Sequence, residues 1–207
     1  MKKTTLLICL FGVILFSLAF KKYTVNSFPL FGKLIILDPG HGGLDPGSIF
    51  KDEYEKEYNL TFAITLKNEL ESLGASVILT REGDYDLSSP NARYRKKSDF
   101  NNRIKLINDS KADLYLSLHM NFLNDNTYYG SQVFYTKEKN TNKELAKVMQ
   151  ENFNNYFNFK KSAKMIDTSK YMYKRLEISG VLIEYGFISS YKDRTSLKKE
   201  TYRKELS

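Results

Sequence analysis

The chain contains two histidines, and both stand where an apolar run gives way to polar sequence. His41 sits in Asp38-Pro39-Gly40-His41-Gly42-Gly43, immediately after Leu34 to Leu37, and His119 ends Leu114-Tyr115-Leu116-Ser117-Leu118-His119. Between them lies a carboxylate-rich stretch of Asp52, Glu53, Glu55 and Glu57. Two imidazoles and one carboxylate are the ligand set of a catalytic zinc site that keeps its fourth position open. Hydrolysis at such a site also needs a carboxylate that does not bind metal, to take a proton from the attacking water and deliver it to the leaving group. Glu184 follows Val181-Leu182-Ile183 directly, so a buried strand there would end at the same sheet edge as the histidines. Each residue also has a plainer reading. A strand-end histidine can be a hydrogen-bonded structural residue, a glutamate opening a helix is favoured by the helix dipole alone, and Glu184 could be a surface carboxylate.

The elements that must position these residues alternate between strand and helix. Lys33 to Asp38 is a short apolar run of the fully buried kind. From Glu55 to Leu73, Leu60, Ala63, Ile64, Leu70 and Leu73 recur at helical spacing, and Gly74 supplies a stop. Ser76 to Thr80 reads as a strand, residues 82 to 95 as a polar loop, and Phe100, Ile104 and Ile107 mark a second helix leading into a strand from Asp113 to Leu118. Gly130 to Thr136 reads as another strand, and Thr141-Asn142-Lys143-Glu144 predicts a capping box for a helix carrying Leu145, Val148, Met149, Phe153 and Tyr156. Val181 to Glu184 is the last strand. The expected fold class is α/β: one domain with a mainly parallel twisted sheet flanked by helices on both faces. Glycines around His41 allow a tight turn beside the imidazole. A dinucleotide-binding fingerprint fails there, because position 45 is Asp45 and no Gly-Lys-Ser/Thr follows.

The 207 residues, 42% of them hydrophobic, suffice for a single core. The formal charge of +8 is concentrated in part in Lys2, Lys3, Lys21 and Lys22; without them 28 basic residues face 24 acidic ones, of interspersed sign. That pattern is a solvated surface and argues against a nucleic-acid partner. Thr4 to Phe20 carries no charge and is flanked by lysines, the pattern of an N-terminal anchor or a secretory signal. Residues 1 to 32 are therefore expected to be a signal or anchor segment with its linker, attached to the membrane or cleaved after Ala19, with residues 33 to 207 as an extracytoplasmic catalytic domain. Cys9 is the only cysteine and lies in the leader, so neither disulfides nor thiolate ligands are expected in the domain.

Six segments carry a family resemblance, in order and at matching spacing: Asp38-Pro39-Gly40-His41-Gly42-Gly43, Glu55-Lys56-x-x-Asn59-Leu60, Leu79-Thr80-Arg81, Asn102-Arg103, Ser117-Leu118-His119-Met120-Asn121 and Leu182-Ile183-Glu184-Tyr185-Gly186-Phe187. Together they resemble the type 3 class of zinc-dependent N-acetylmuramoyl-L-alanine amidases, which cut cell-wall peptidoglycan. The stretch from Tyr94 to Asn108, with the apolar leader, looks most like the germination-specific CwlD-type branch of spore formers. The resemblance implies Zn2+ held by His41, Glu55 and His119, with Glu184 as catalytic acid/base; Glu55 is chosen over Glu53 and Glu57 because it alone sits in the Glu-Lys-x-x-Asn-Leu register. It further implies a peptidoglycan substrate in the spore cortex, muramic lactam formation, action on the forespore envelope side, and room for an accessory protein or homodimer. Ser190 stands where the family usually has Asn, Ser179 where a proline often precedes the last strand, and the C-terminal helix is expected to be short. Tyr128-Tyr129 and Tyr171-x-Tyr173 could stack on sugar rings. A non-catalytic peptidoglycan-binding module and a zinc peptidase of different specificity are the alternatives.

Overall fold

The computed structural model describes residues 28 to 166 and 171 to 207; the expected leader lies outside them. Among the described residues no helix is long and apolar enough to cross a membrane. The strands are β1 (Leu34–Pro39), β2 (Ile49–Phe50), β3 (Glu53–Tyr54), β4 (Ser76–Leu79), β5 (Leu114–Asn121), β6 (Gln132–Tyr135), β7 (Lys164–Met165) and β8 (Gly180–Phe187). The helices are α1 (Glu55–Ser72), α2 (Arg95–Asp109), α3 (Asn140–Phe157), α4 (Tyr191–Leu197) and α5 (Glu200–Leu206), with a 3-10 turn at Tyr173–Arg175.

Six strands form one sheet in the order β4-β1-β5-β8-β6-β7. Pairing is parallel from β4 through β8, antiparallel between β8 and β6, and parallel again to β7. Period-two alternation sends neighbouring side chains to opposite faces. Ile35, Leu37, Leu116, Leu118, Val181 and Ile183 pack with Phe62, Ala63 and Leu66 of α1, Ala146 of α3, and Leu197 and Leu206 of α4 and α5. Ile36, Tyr115 and Leu182 pack on the other face with Ile107 of α2 and with Met172, Tyr173 and Leu176. Both faces are thus covered, which is why the central strands read as continuous apolar runs. The fold matches the sequence expectation: one α/β unit with a mainly parallel sheet between helical layers.

Several local details differ from the sequence reading. β5 continues through His119 to Asn121 and β8 through Glu184 to Phe187, so neither residue ends its strand. Ladder bonds are made by backbone, and they continue through a polar residue in either strand, with a register shift between His119 and Asn121. On α1 the buried face is Glu55, Asn59, Phe62, Ala63, Thr65 and Leu66, while Ile64 and Leu73 are exposed. The capping box does not form: α3 starts two residues earlier, after Lys139, with no side-chain cap. Asn142 is drawn inward instead, donating to Thr136 Oγ1 at 2.9 Å and accepting from Gly180 N at 3.0 Å, where it braces the start of β8. The acidic stretch before α1 folds as the β2–β3 hairpin, which the periodicity did not indicate.

Candidate metal centre and catalytic cleft

Glu55 is the first residue of α1 and is 2% exposed. Its backbone N–H donates to Ser48 O at 3.0 Å and its Oε2 accepts from Ser48 N at 2.8 Å, so the hairpin entry fixes both ends of the residue. The other oxygen, Oε1, meets His119 Nδ1 at 2.9 Å and His41 Nε2 at 3.2 Å. The two imidazoles lie edge-on, with centroids 5.0 Å apart and planes at 83°. Ligand atoms of all three residues fall within 4.8 Å of one another, the one such group among the described residues.

Each ring is held from behind. His41 Nδ1 lies 3.0 Å from Asp45 Oδ2, and His119 Nε2 lies 3.4 Å from the Tyr173 hydroxyl. A carboxylate oxygen between two ring nitrogens requires positive charge in the group, from a protonated imidazole or from a cation. Burial opposes ionisation of Glu55, but hydrogen bonds and charge from His119 and His41 outweigh it and hold the carboxyl far below the ordinary range. Burial likewise favours a neutral His41 ring, and the Asp45 and Glu55 carboxylates overcome it, raising the pKa to about 9. At His119 burial prevails and the pKa is lowered despite Glu55. Two outward-braced imidazoles and a desolvated carboxylate fit a zinc ion, whose histidine ligands characteristically hydrogen-bond through the other ring nitrogen.

The turn carrying His41 tolerates no added bulk. His41 itself adopts φ 64°, in the left-handed region that costs most residues energy. A Cβ on Gly40 would come 2.1 Å from His119 Cε1, and one on Gly47 would come 2.7 Å from Glu55 Oε2 and His41 Cδ2. Two buried arginines brace the turn. Arg81 donates to the carbonyls of Pro39, Gly40 and Gly83 at 3.0 Å and of Lys56 at 2.8 Å, tying the end of β1 to the start of α1. Arg103 donates to Asp38 Oδ1 and His41 O at 2.6 Å and to Asp99 Oδ2 at 3.0 Å. Asn59, one turn after Glu55, donates to Gly40 O at 3.1 Å and to Glu55 Oε1 at 3.3 Å, and accepts from the Tyr185 hydroxyl at 2.8 Å.

Glu184 is the register partner of His119 on β8, is half-buried, and lines the same cleft of about 540 Å³ as His41, Glu55, His119, Asp45, Lys96, Asn121 and Tyr173. The structure therefore brings together all four residues singled out in the sequence. Glu53 goes elsewhere: its carboxylate meets Tyr58, Arg194 and Lys198. The bracing roles of Asp45, Tyr173, Arg81 and Arg103 were not legible beforehand. Arg81, Asn59 and Arg103 stood in the resembling segments with no role attached, and Tyr173 was read as a sugar-stacking aromatic although it is buried.

The family model for N-acetylmuramoyl-L-alanine amidase, Amidase_3, matches residues 35–207. The germination-specific N-acetylmuramoyl-L-alanine amidase of Bacillus subtilis (strain 168) is 36% identical, the match covering 100% of this chain and 91% of that protein. Among solved structures, the CwlD amidase from Clostridioides difficile in complex with the GerS lipoprotein superposes with TM-score 0.78 at 38% identity, over 84% of this chain and 92% of that one. An N-acetylmuramoyl-L-alanine amidase from Clostridium difficile 630 superposes with TM-score 0.70 at 28% identity, over 84% and 90% of the two chains. Together with the α/β fold, these matches show that the chain belongs to the Amidase_3 family of N-acetylmuramoyl-L-alanine amidases.

Proposed function

We propose that this amidase is zinc-dependent, acts outside the cytoplasm, and removes whole stem peptides from N-acetylmuramic acid in spore-cortex peptidoglycan. The observation that carries the metal reading is the approach of His119 Nδ1 and His41 Nε2 to one Glu55 oxygen, at 2.9 and 3.2 Å, with both outer nitrogens engaged by Tyr173 and Asp45. His41, Glu55 and His119 would hold the ion, which when bound polarises the scissile carbonyl and lowers the pKa of water. Glu184 takes the proton of the attacking water and passes it to the alanine nitrogen as the amide bond to the lactyl carbonyl breaks. Its position opposite His119 on the neighbouring strand supports that role, because it opens on the same cleft without entering the His41, Glu55 and His119 group. Asp45 keeps His41 oriented, and the Arg81 and Arg103 bonds to the turn carbonyls hold the cleft wall in place.

A turnover-free binding module is disfavoured by the complete acid and donor set. A carboxypeptidase is disfavoured because Arg103, the one arginine lining the cleft among the described residues, is already committed to Asp38 and Asp99. The cortex role rests on the likeness to the germination-specific relative, and an accessory lipoprotein is part of the reading because the Clostridioides difficile relative was solved with one. Purified peptidoglycan digested by the protein should release free stem peptides beginning with L-alanine and leave muramic acid with a free lactyl carboxylate, both resolved by mass analysis. Release of single terminal amino acids would instead identify a carboxypeptidase. In the host, loss of the gene should leave cortex with intact stem peptides and little muramic lactam; normal lactam with unseparated vegetative cells would identify a general cell-wall amidase.

A further inference from the structure

A line of buried polar groups leads from the heart of the sheet to the back of His119, and the amidase reading uses only its last member, Tyr173. Asp38, 1% exposed, accepts from Arg103 Nη1 at 2.6 Å and Thr80 Oγ1 at 2.7 Å through Oδ1, and from Ser117 Oγ at 3.1 Å through Oδ2. Ser117 Oγ lies 3.2 Å from the Tyr173 hydroxyl, which lies 3.4 Å from His119 Nε2. Ser117 is fully buried and Tyr173 nearly so. Burial opposes charge on Asp38, but Arg103 and Thr80 outweigh it and keep the carboxyl below the ordinary range, so it only accepts.

The direction of every bond in the line then follows from donor counting. Ser117 spends its single proton on Asp38, so its oxygen can only accept from Tyr173. Tyr173 spends its proton on Ser117, so its oxygen can only accept from His119 Nε2–H. That leaves the lone pair of a neutral His119 on Nδ1, the nitrogen facing Glu55 Oε1. We infer that Ser117 and Tyr173 form a hydroxyl relay from Asp38 that fixes the tautomer and orientation of His119 and thereby strengthens its hold on the metal. Ser117 and Tyr173 are positioning residues: neither belongs to the donor group, and both act through the histidine. A carboxylate behind a metal-bound histidine does this directly; here Asp38 is too deep in the sheet, and two hydroxyls span the gap. The inference rests on the proposed metal site.

The test measures zinc affinity of the full chain by competition with a chelator, for wild type, Tyr173→Phe, Ser117→Ala and the double variant. Tyr173→Phe keeps the ring that packs on Ile36 and Leu182, so its fold should survive. Each single variant should weaken zinc binding by about 10- to 100-fold, the range for losing an outer partner of a ligand. The double variant should be no weaker than the worse single one, because both cut the same line. In the zinc-loaded wild type the His119 Nε2–H proton should exchange slowly by 15N-edited NMR, and in Tyr173→Phe quickly. Unchanged affinity in Tyr173→Phe, or losses that simply add, would overturn the relay while leaving the metal site intact. Failure of the wild type to bind zinc at all would overturn the metal site and the relay with it.

Discussion

His41, Glu55 and His119 form a set in which each residue has a separate signature. Single alanine variants at the three positions should each lose zinc on metal analysis, whereas Glu53→Ala should retain it, because Glu53 is committed to Tyr58, Arg194 and Lys198. Retention in Glu55→Ala with loss in Glu53→Ala would reverse that choice. Protons compete with metal for the same nitrogen atoms. With its pKa raised to about 9, His41 is a cation in the metal-free protein at neutral pH and neutral above that value. Zinc binding at about pH 7 should therefore expel about one proton from this ring, and that contribution should vanish as the pH rises past the His41 pKa. Calorimetry in buffers of different ionisation enthalpy measures the number; a proton release that does not fall as the pH passes the His41 pKa would remove His41 as its source. Glu184→Gln should keep zinc yet lose about two to four orders of magnitude in turnover, the range for removing a general acid/base. Loss of zinc in that variant would put Glu184 among the ligands.

At the scale of elements, three strands and two helices meet at the cleft, and the buried arginines decide how. Arg103 projects from α2 into the end of β1, where it joins Asp38 and Asp99 with all three side chains nearly inaccessible. Removing one member of such a group strands the rest without a counter-charge, which costs about 3–5 kcal/mol. Arg103→Leu should lower unfolding stability by that order in urea titrations of the metal-free protein. A change within about 0.5 kcal/mol, the range of an ordinary surface substitution, would show that water reaches Asp38 and Asp99 after all. The β5–β8 ladder matters in a different way. It continues through His119 and Glu184 and sets them side by side, on the face opposite to Leu118 and Ile183. The hairpin of β2 and β3 then delivers Glu55 to the two histidines from the start of α1.

For the whole molecule, the leader and the domain pose separate questions, since residues 1 to 27 lie outside the described structure. If the charge-free segment from Thr4 to Phe20 anchors the chain, the protein should fractionate with membranes and begin at its first residue; soluble protein beginning at Phe20 would establish cleavage after Ala19. Within the domain, the main alternation of strands and helices and the sheet class were legible in order along the chain, and the four candidate site residues line one cleft. Local periodicity reports burial on each element, and burial of both sheet faces writes itself as continuous apolar runs at β1, β5 and β8. The choice of Glu55 over Glu53 came only from the resembling segment; nothing local distinguishes two glutamates two residues apart, and it is the β2–β3 hairpin that turns one toward the histidines and the other toward Arg194. The capping box at Thr141 and the apolar positions Ile64 and Leu73 misled for the same reason: a side chain's partner is set by what the fold packs against it. The bonds from Tyr173, Arg81 and Arg103 to the site are likewise contacts between residues far apart in sequence, and the local one, from Asp45 to His41, depends on the conformation of the turn between them. Sequence determined which residue types could do the chemistry and which elements carry them, because both are written in local order; tertiary structure alone decided which nitrogen of each histidine faces the carboxylate, because that depends on groups brought behind the rings by folding.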